Sequence, residues 1–171
     1  DDEELTLDAT GVCNYCRSYE DLEAAYVPPI PEANRRLTAL IEKVKKTGKQ
    51  NRYDSILGLS GGVDSSYLAL KAKQWGLRPL IVHFDNGWNS ELAVNNIEKT
   101  ISILGFDLHT LVIQWEEFRN LQVAFLRASV VDIEMITDHA IIATLFRLAL
   151  KENIKFILSV TNIVTEATLP H

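Results

Sequence analysis

The chain has 171 residues, 47% hydrophobic and 23% charged, which supports one full domain with its own core and leaves little room for a second. Seventeen Lys and Arg against 23 Asp and Glu give a formal net charge of −6, so no overall field draws the chain toward DNA, RNA or anionic lipid. The longest apolar stretch, 140–150, is broken by Arg147 and too short for a bilayer, and the acidic start at Asp1, Asp2, Glu3 and Glu4 is the opposite of a targeting peptide; the expected location is the cytoplasm, without a membrane span.

Residues 1–30 read as an irregular arm that ends in Pro28, Pro29 and Pro31. The two cysteines, Cys13 and Cys16, stand in this arm as a C-x-x-C. Three readings stay open for them: half of a zinc site, a redox pair, or two incidental thiols. A helix follows over 31–47, where Leu37, Leu40, Ile41 and Val44 recur at helical spacing and Gly48 is placed to end it.

From Tyr53 the pattern becomes regular. An apolar run at 55–59 meets a Gly-Gly turn, then a helix over 64–75 closed by Gly76. A second run at 80–84 leads into the turn signal Asp85-Asn86-Gly87 and a helix through Leu92, Ile97, Ile101 and Leu104, stopped by Gly105. A third run at 108–113 precedes a helix over 116–128. Thr137 reads as the N-cap of a helix over 138–152, and a fourth run at 156–160 precedes a polar loop. Strands and helices that alternate across short turns are the signature of βαβ units. The expected fold is therefore α/β, a doubly wound and mostly parallel sheet with helices on both faces. The expected division is an N-terminal part over 1–52, with the C-x-x-C and one helix, and an α/β domain over 53–171. In such sheets ligands sit beyond the carboxyl ends of the strands, so the residues after each apolar run carry the functional signal.

After the first run stands Ser60-Gly61-Gly62-Val63-Asp64-Ser65-Ser66. Two glycines let the backbone turn sharply and bring its N–H groups near an anion, and Asp64, Ser65 and Ser66 open a helix whose free N–H groups favour the same charge. The hydroxyls add donors for phosphate oxygens. The loop lacks the lysine and the spacing of the common ATPase loop, and it is not G-x-G-x-x-G.

The loop resembles the S-G-G-x-D-S pyrophosphate loop of the PP-loop ATP pyrophosphatases, whose fold is adenine nucleotide alpha hydrolase-like. That resemblance implies ATP as substrate, cleaved to AMP and pyrophosphate, with Mg²⁺ on the phosphates. It makes Ser60, Gly61, Gly62, Asp64, Ser65 and Ser66 the phosphate cradle and His83, Phe84 and Asp85 the edge beside adenine, with His83 a strand residue rather than a general base. After the last run, Thr161-Asn162-Ile163-Val164-Thr165-Glu166 is similar to the Thr-Asn…Thr-Glu loop of the NAD synthetase branch. By that likeness Thr161 and Asn162 join the nucleotide site, and Glu166 joins Asp64 as a magnesium ligand. Val160 departs from the pattern, which usually has a small residue there.

Longer stretches resemble the N-acetyl sugar amidotransferases of bacterial surface-polysaccharide and nonulosonic acid synthesis. They are the segment from Gly11 to Cys16, the one from Asp85 to Glu91, Trp115 to Phe118, Thr137 to Ile141, and Thr161 to Pro170. The resemblance implies that an acetamido oxygen attacks the α-phosphorus of ATP, that pyrophosphate leaves, and that ammonia from a separate glutaminase partner displaces AMP to give an acetamidino group. It also implies a longer protein, in which an upstream cysteine pair would complete a zinc site with Cys13 and Cys16. Asp138, the second expected catalytic residue after Asp64, and Asn86, Trp88 and His139 follow strand ends or open a helix, where they could face the sugar; equally, Trp88 packs and Asp138 caps its helix. Trp75 and Trp115 read as structural. Two other readings are a PP-loop sulfur transferase acting on tRNA and a non-catalytic adenine-nucleotide-binding module. The oligomeric state, a homo-oligomer included, is left open.

Overall fold

The structure, a computed structural model, describes residues 3–166. It forms two compact units, one made of residues up to Leu40 together with those from Val160 onward, the other of Ile41–Ser159.

In the first unit, Asn14–Tyr26 is a helix, α1. This corrects the expectation of an irregular arm before the prolines. The start signal was a thiol rather than a hydroxyl or carboxylate: Cys13 is the N-cap, and its Sγ accepts the amide of Cys16 at 3.3 Å. The turn before it closes as a small hairpin, with Leu7 bridged to Cys13. Asp8 holds that turn by accepting from the Thr10 and Val12 amides and from Arg17. The prolines then separate α1 from α2, Ile30–Thr47, which from Ile41 onward belongs to the second unit.

The second unit carries strand β1 (Ser55–Gly58), helix α3 (Val63–Gln74), strand β2 (Pro79–Asp85), helix α4 (Glu91–Leu104), strand β3 (Leu108–Val112), helices α5 (Trp115–Arg127) and α6 (Met135–Lys151), and strand β4 (Ile157–Leu158). The four strands are parallel, in the order β3-β2-β1-β4. The register pairs Ile56 with Leu80 and with Ile157 across the middle of the sheet. Successive residues of a strand face opposite sides, and the core follows this rule. Ile56, Leu80 and Val82 pack with Leu148 and Ala149 of α6 on one face. Leu57, Leu59 and Ile81 pack with Ala69 of α3 and with Ile97 and Leu104 of α4 on the other. Each fully buried Ile or Leu contributes about 1.5–3 kcal/mol, so the alternation of β1 and β2 fixes which helices go where. The expected doubly wound α/β sheet with helices on both faces is what the chain forms.

The fourth strand, expected over 156–160, is confined to Ile157–Leu158, and two further elements differ from expectation. Helix α6 begins at Met135, so Thr137 lies inside its first turn and is not its N-cap. Asp132 causes the early start by accepting the Glu134 amide at 3.0 Å, and this turn runs directly into the helix. The Thr137 hydroxyl is buried with no partner among the described residues. In the first unit, part of the expected terminal loop is a single helical turn, α7, Ile163–Glu166, which packs on α1. Asn162 starts it by accepting the Val164 amide at 3.1 Å and the Thr165 amide at 3.4 Å. No helix among the described residues is long and apolar enough to cross a membrane.

Candidate functional site

Strand order places the first loop at a topological switch. From β1 the chain moves outward through β2 to β3, then returns to place β4 on the far side of β1. The crevice at the carboxyl ends of β1 and β4 is therefore where an α/β sheet of this kind takes its ligand, and Ser60–Ser66 opens directly into it from β1.

The loop is built for close backbone approach. Gly61 has φ +79, and a Cβ there would run into the Ala93 carbonyl of α4. Only glycine meets both conditions. The Gly61 carbonyl accepts from Asn96 Nδ2 at 3.0 Å, which ties the loop to α4. Gly62 is the N-cap of α3 in an extended conformation, and no side chain caps that helix. The first-turn amides thus keep donors for an anion, reinforced by the positive end of the helix dipole.

Three hydroxyls hold the loop in shape. Ser60 Oγ and Ser65 Oγ are 3.1 Å apart, Ser65 Oγ also accepts the Ser60 amide, and Ser66 Oγ donates to the Gly62 carbonyl at 2.8 Å. Asp64 is exposed in the first turn of α3. A groove of about 540 Å³ runs beside the loop, lined by Gly62, Val63, Ser66, Tyr67, Asn96 and Lys99 among others. Amides, hydroxyls and the Lys99 cation suit a phosphate chain, and a solvent-facing carboxylate at Asp64 suits a hydrated Mg²⁺, which takes one or two carboxylates and fills its shell with phosphate oxygens and water. Among the described residues no group of three or more His, Cys, Asp or Glu stands together as a protein-only metal site.

At the end of β2, three neighbours have three separate tasks. His83 is 7% exposed, and its Nδ1 donates to the Leu59 carbonyl at 3.1 Å, so the ring cross-links β2 to the exit of β1. Phe84 points to the opposite face, into a hollow with Leu111, Phe118 and Ala140. Asp85 Oδ1 accepts the Gly87 amide at 3.0 Å and Asn89 Nδ2 at 2.9 Å, which shapes the turn into α4. Asp138 and His139 are exposed near the start of α6.

Thr161 and Asn162 belong to the first unit, and Asn162 serves as the cap of α7. Glu166 is the last residue of α7, its side chain outside the described residues, as are residues 167–170 of the motif that runs to Pro170. Cys13 and Cys16 Sγ are 3.2 Å apart, two of the four donors that zinc takes, and no third joins them among the described residues.

Sequence reading missed Lys99, which lines the groove, and two further polar residues. Asn96 lies in the interior of α4, where asparagine is a poor helix former, and that misfit is the signal of a tertiary task. Gln122 of α5 accepts from Trp88 Nε1 at 3.0 Å, and no sequence pattern points to that pair.

No family model matches the chain, and no curated protein matches its sequence. Solved structures do. The NH3-dependent NAD synthetase of Campylobacter jejuni is similar with a TM-score of 0.56 and 17% identity, over 75% of this chain and 57% of that one. The NMN synthetase of Francisella tularensis gives a TM-score of 0.56 and 19% identity over 78% and 55%. The NAD+ synthetase of Burkholderia pseudomallei gives 0.52 and 16% over 84% and 69%. The chain thus spans a little over half the length of the first two. It has an adenine nucleotide alpha hydrolase-like α/β fold.

Proposed function

We propose that the chain is the nucleotide-binding part of an ATP-dependent, AMP-forming amidotransferase that acts on an N-acetyl sugar. The observation that carries this reading is the Ser60–Ser66 loop: uncapped α3, the forced glycine at Gly61 and three hydroxyls at the carboxyl end of β1. The sheet it sits on is similar to that of an enzyme named as an NH3-dependent NAD synthetase, which supports ammonia as the nitrogen donor.

In the proposed reaction the acetamido oxygen forms a bond to the α-phosphorus of ATP and the bond to pyrophosphate breaks. Ammonia then adds to the activated carbon, AMP leaves with the former amide oxygen, and a proton is released as the acetamidino group forms. An amide is a poor electrophile, and adenylation gives it a good leaving group. Bound Mg²⁺ would neutralise charge on the phosphates. The chain's own share is positioning and charge. The α3 amides and Ser60, Ser65 and Ser66 hold the phosphates, Lys99 offsets negative charge from the groove, and Asp64 would hold the cation. The β2 end at His83, Phe84 and Asp85 borders the nucleotide. Asp138 is assigned to the acceptor side. A glutaminase partner supplies ammonia.

The test is pyrophosphate release from ATP by the protein with ammonium and a panel of acetamido sugars. Release that depends on both sugar and ammonium supports the reading. Nucleotide binding with no release under any combination points instead to a nucleotide-sensing module.

A further inference from the structure

The second concave feature at the carboxyl edge of the sheet is a corner made by two indoles. The turn after β2 presents Trp88, and α5, which follows β3, opens with Trp115. Their rings meet edge to face, centroids 5.7 Å apart and planes at 67°. The turn is braced from beneath: Asn86 Oδ1 accepts the Trp88 amide at 3.1 Å, beside the two bonds that Asp85 accepts. Gly87 has φ +79, and a Cβ there would lie 3.0 Å from the Trp115 ring, so the turn can rest on that indole only with glycine.

Trp88 is fixed and yet 66% exposed. Its one polar atom is satisfied by Gln122, so what it offers to solvent is the apolar face of the ring. That face borders a cavity of about 530 Å³, within the range of small-molecule sites, with Trp115, Leu126, Arg119, Gln122 and Glu134 around it. A preorganised, solvent-facing indole beside one cation, one carboxylate and one amide is a binding surface rather than core.

We propose that this corner is the acceptor subsite and takes the pyranose ring of the acetamido sugar; this rests on the amidation reading above. Two walls at 67° suit a thick ring better than a flat one. A planar base stacks best in a parallel slot, whereas a chair presents C–H bonds to one wall and its substituents to the other. The C–H bonds carry slight positive charge and match the negative face of the indole. Hydroxyls in the plane of the ring reach toward Gln122, Arg119 and Glu134, and the acetamido methyl packs on Leu126. The corner opens from the β2 and β3 ends, on the same sheet edge as the phosphate loop.

The experiment titrates the full chain with N-acetylglucosamine, N-acetylmannosamine and UDP-N-acetylglucosamine by tryptophan fluorescence, with glucosamine and adenosine as controls, and measures AMP formation in parallel. Saturable quenching by an acetamido sugar but not by the controls is expected. Trp88→Ala should abolish it and raise the sugar KM tenfold or more at unchanged ATP KM, while Trp88→Phe keeps part of the affinity. Gln122→Ala, which leaves both indoles in place, should weaken sugar binding severalfold and serves if Trp88→Ala does not fold. Sugar affinity and KM untouched in these variants would overturn the subsite while leaving the amidation reading in place. Wild-type binding of the sugars without AMP formation would leave the subsite and sink that reading. Absence of any sugar binding, or adenosine as the preferred ligand, would overturn the proposal.

Discussion

Asn96 donates from Nδ2 to the carbonyl oxygen of Gly61 at 3.0 Å, so the loop after β1 is fastened to α4 by a side chain as well as by its own backbone. Gly61 meets α4 a second time, where the Ala93 carbonyl occupies the space a Cβ would need. The shape of the candidate phosphate cradle therefore depends on a helix that begins some 30 residues later in the chain.

Loss of either contact is expected to loosen the cradle. Asn96→Ala removes a hydrogen bond worth about 1 kcal/mol, a fall of roughly 2–4 °C in melting temperature, and should weaken ATP binding severalfold. Gly61→Ala is more severe: the left-handed backbone alone costs roughly 1–3 kcal/mol for a residue with a side chain, and the Ala93 clash displaces the loop. Thermal melting paired with nucleotide titration checks both. Unchanged ATP affinity in Gly61→Ala would show that the cradle lies elsewhere.

Asp64 stands at the first turn of α3 facing solvent, with no structural partner among the described residues to lose. Asp64→Ala is expected to abolish pyrophosphate release with little change in melting temperature, and added Mg²⁺ should not restore it. Full activity in the variant would remove Asp64 from the metal assignment.

The strands of the α/β unit were legible because their apolar runs are short, separated by glycine turns and matched to helices of ordinary period. The Ser60–Ser66 loop was legible for the same reason, since Gly61 and Gly62 fall where a strand must turn into a helix. What escaped reading has a physical cause in each case. Helix α1 starts on the thiol of Cys13, outside the usual capping set, and α6 starts early because Asp132 supplies a turn ahead of Thr137. The Trp88–Gln122 bond joins residues 34 apart in sequence, and Asn96–Gly61 residues 35 apart. No periodicity encodes such pairs, because they exist only once neighbouring strands are side by side, β2 with β3 for the first and β1 with β2 for the second.

At the opposite end of the sheet, Tyr53 donates its hydroxyl to Asp107 Oδ2 at 2.8 Å, and Arg52 reaches the same oxygen. Burial, then the bond to Asp107, raises the Tyr53 pKa in the folded chain, while the Tyr53 hydroxyl first, and Arg52 after it, lowers that of Asp107. A raised tyrosine contributes stability that is fully present below its unfolded pKa near 10 and is lost as pH rises through the folded value. A depressed aspartate contributes stability present above its unfolded pKa near 4, lost as pH falls through the folded value. Tyr53→Phe should therefore flatten the pH dependence of melting at both ends and lower the melting temperature at neutral pH, with nucleotide binding unchanged. An unaltered alkaline limb in the variant would contradict the assignment.

Cys13 is expected to be the reactive thiol of the C-x-x-C. The Cys16 amide, which points at Cys13 Sγ from the first turn of α1, is the main cause that lowers the Cys13 pKa, and the Cys16 thiol adds to it. The same sharing works against Cys16, whose pKa rises because Cys13 beside it takes the negative charge first. Since the thiolate is the nucleophile, iodoacetamide should alkylate Cys13 ahead of Cys16, with a midpoint below the ordinary thiol value near 8.5. Cys16→Ser should return the Cys13 midpoint only part of the way, because the amide that dominates the shift remains. Cys13→Ser should bring Cys16 down toward its ordinary value. Peptide mapping after timed alkylation across pH reads all three, and equal rates at the two thiols would remove the helix-capping role of Cys13.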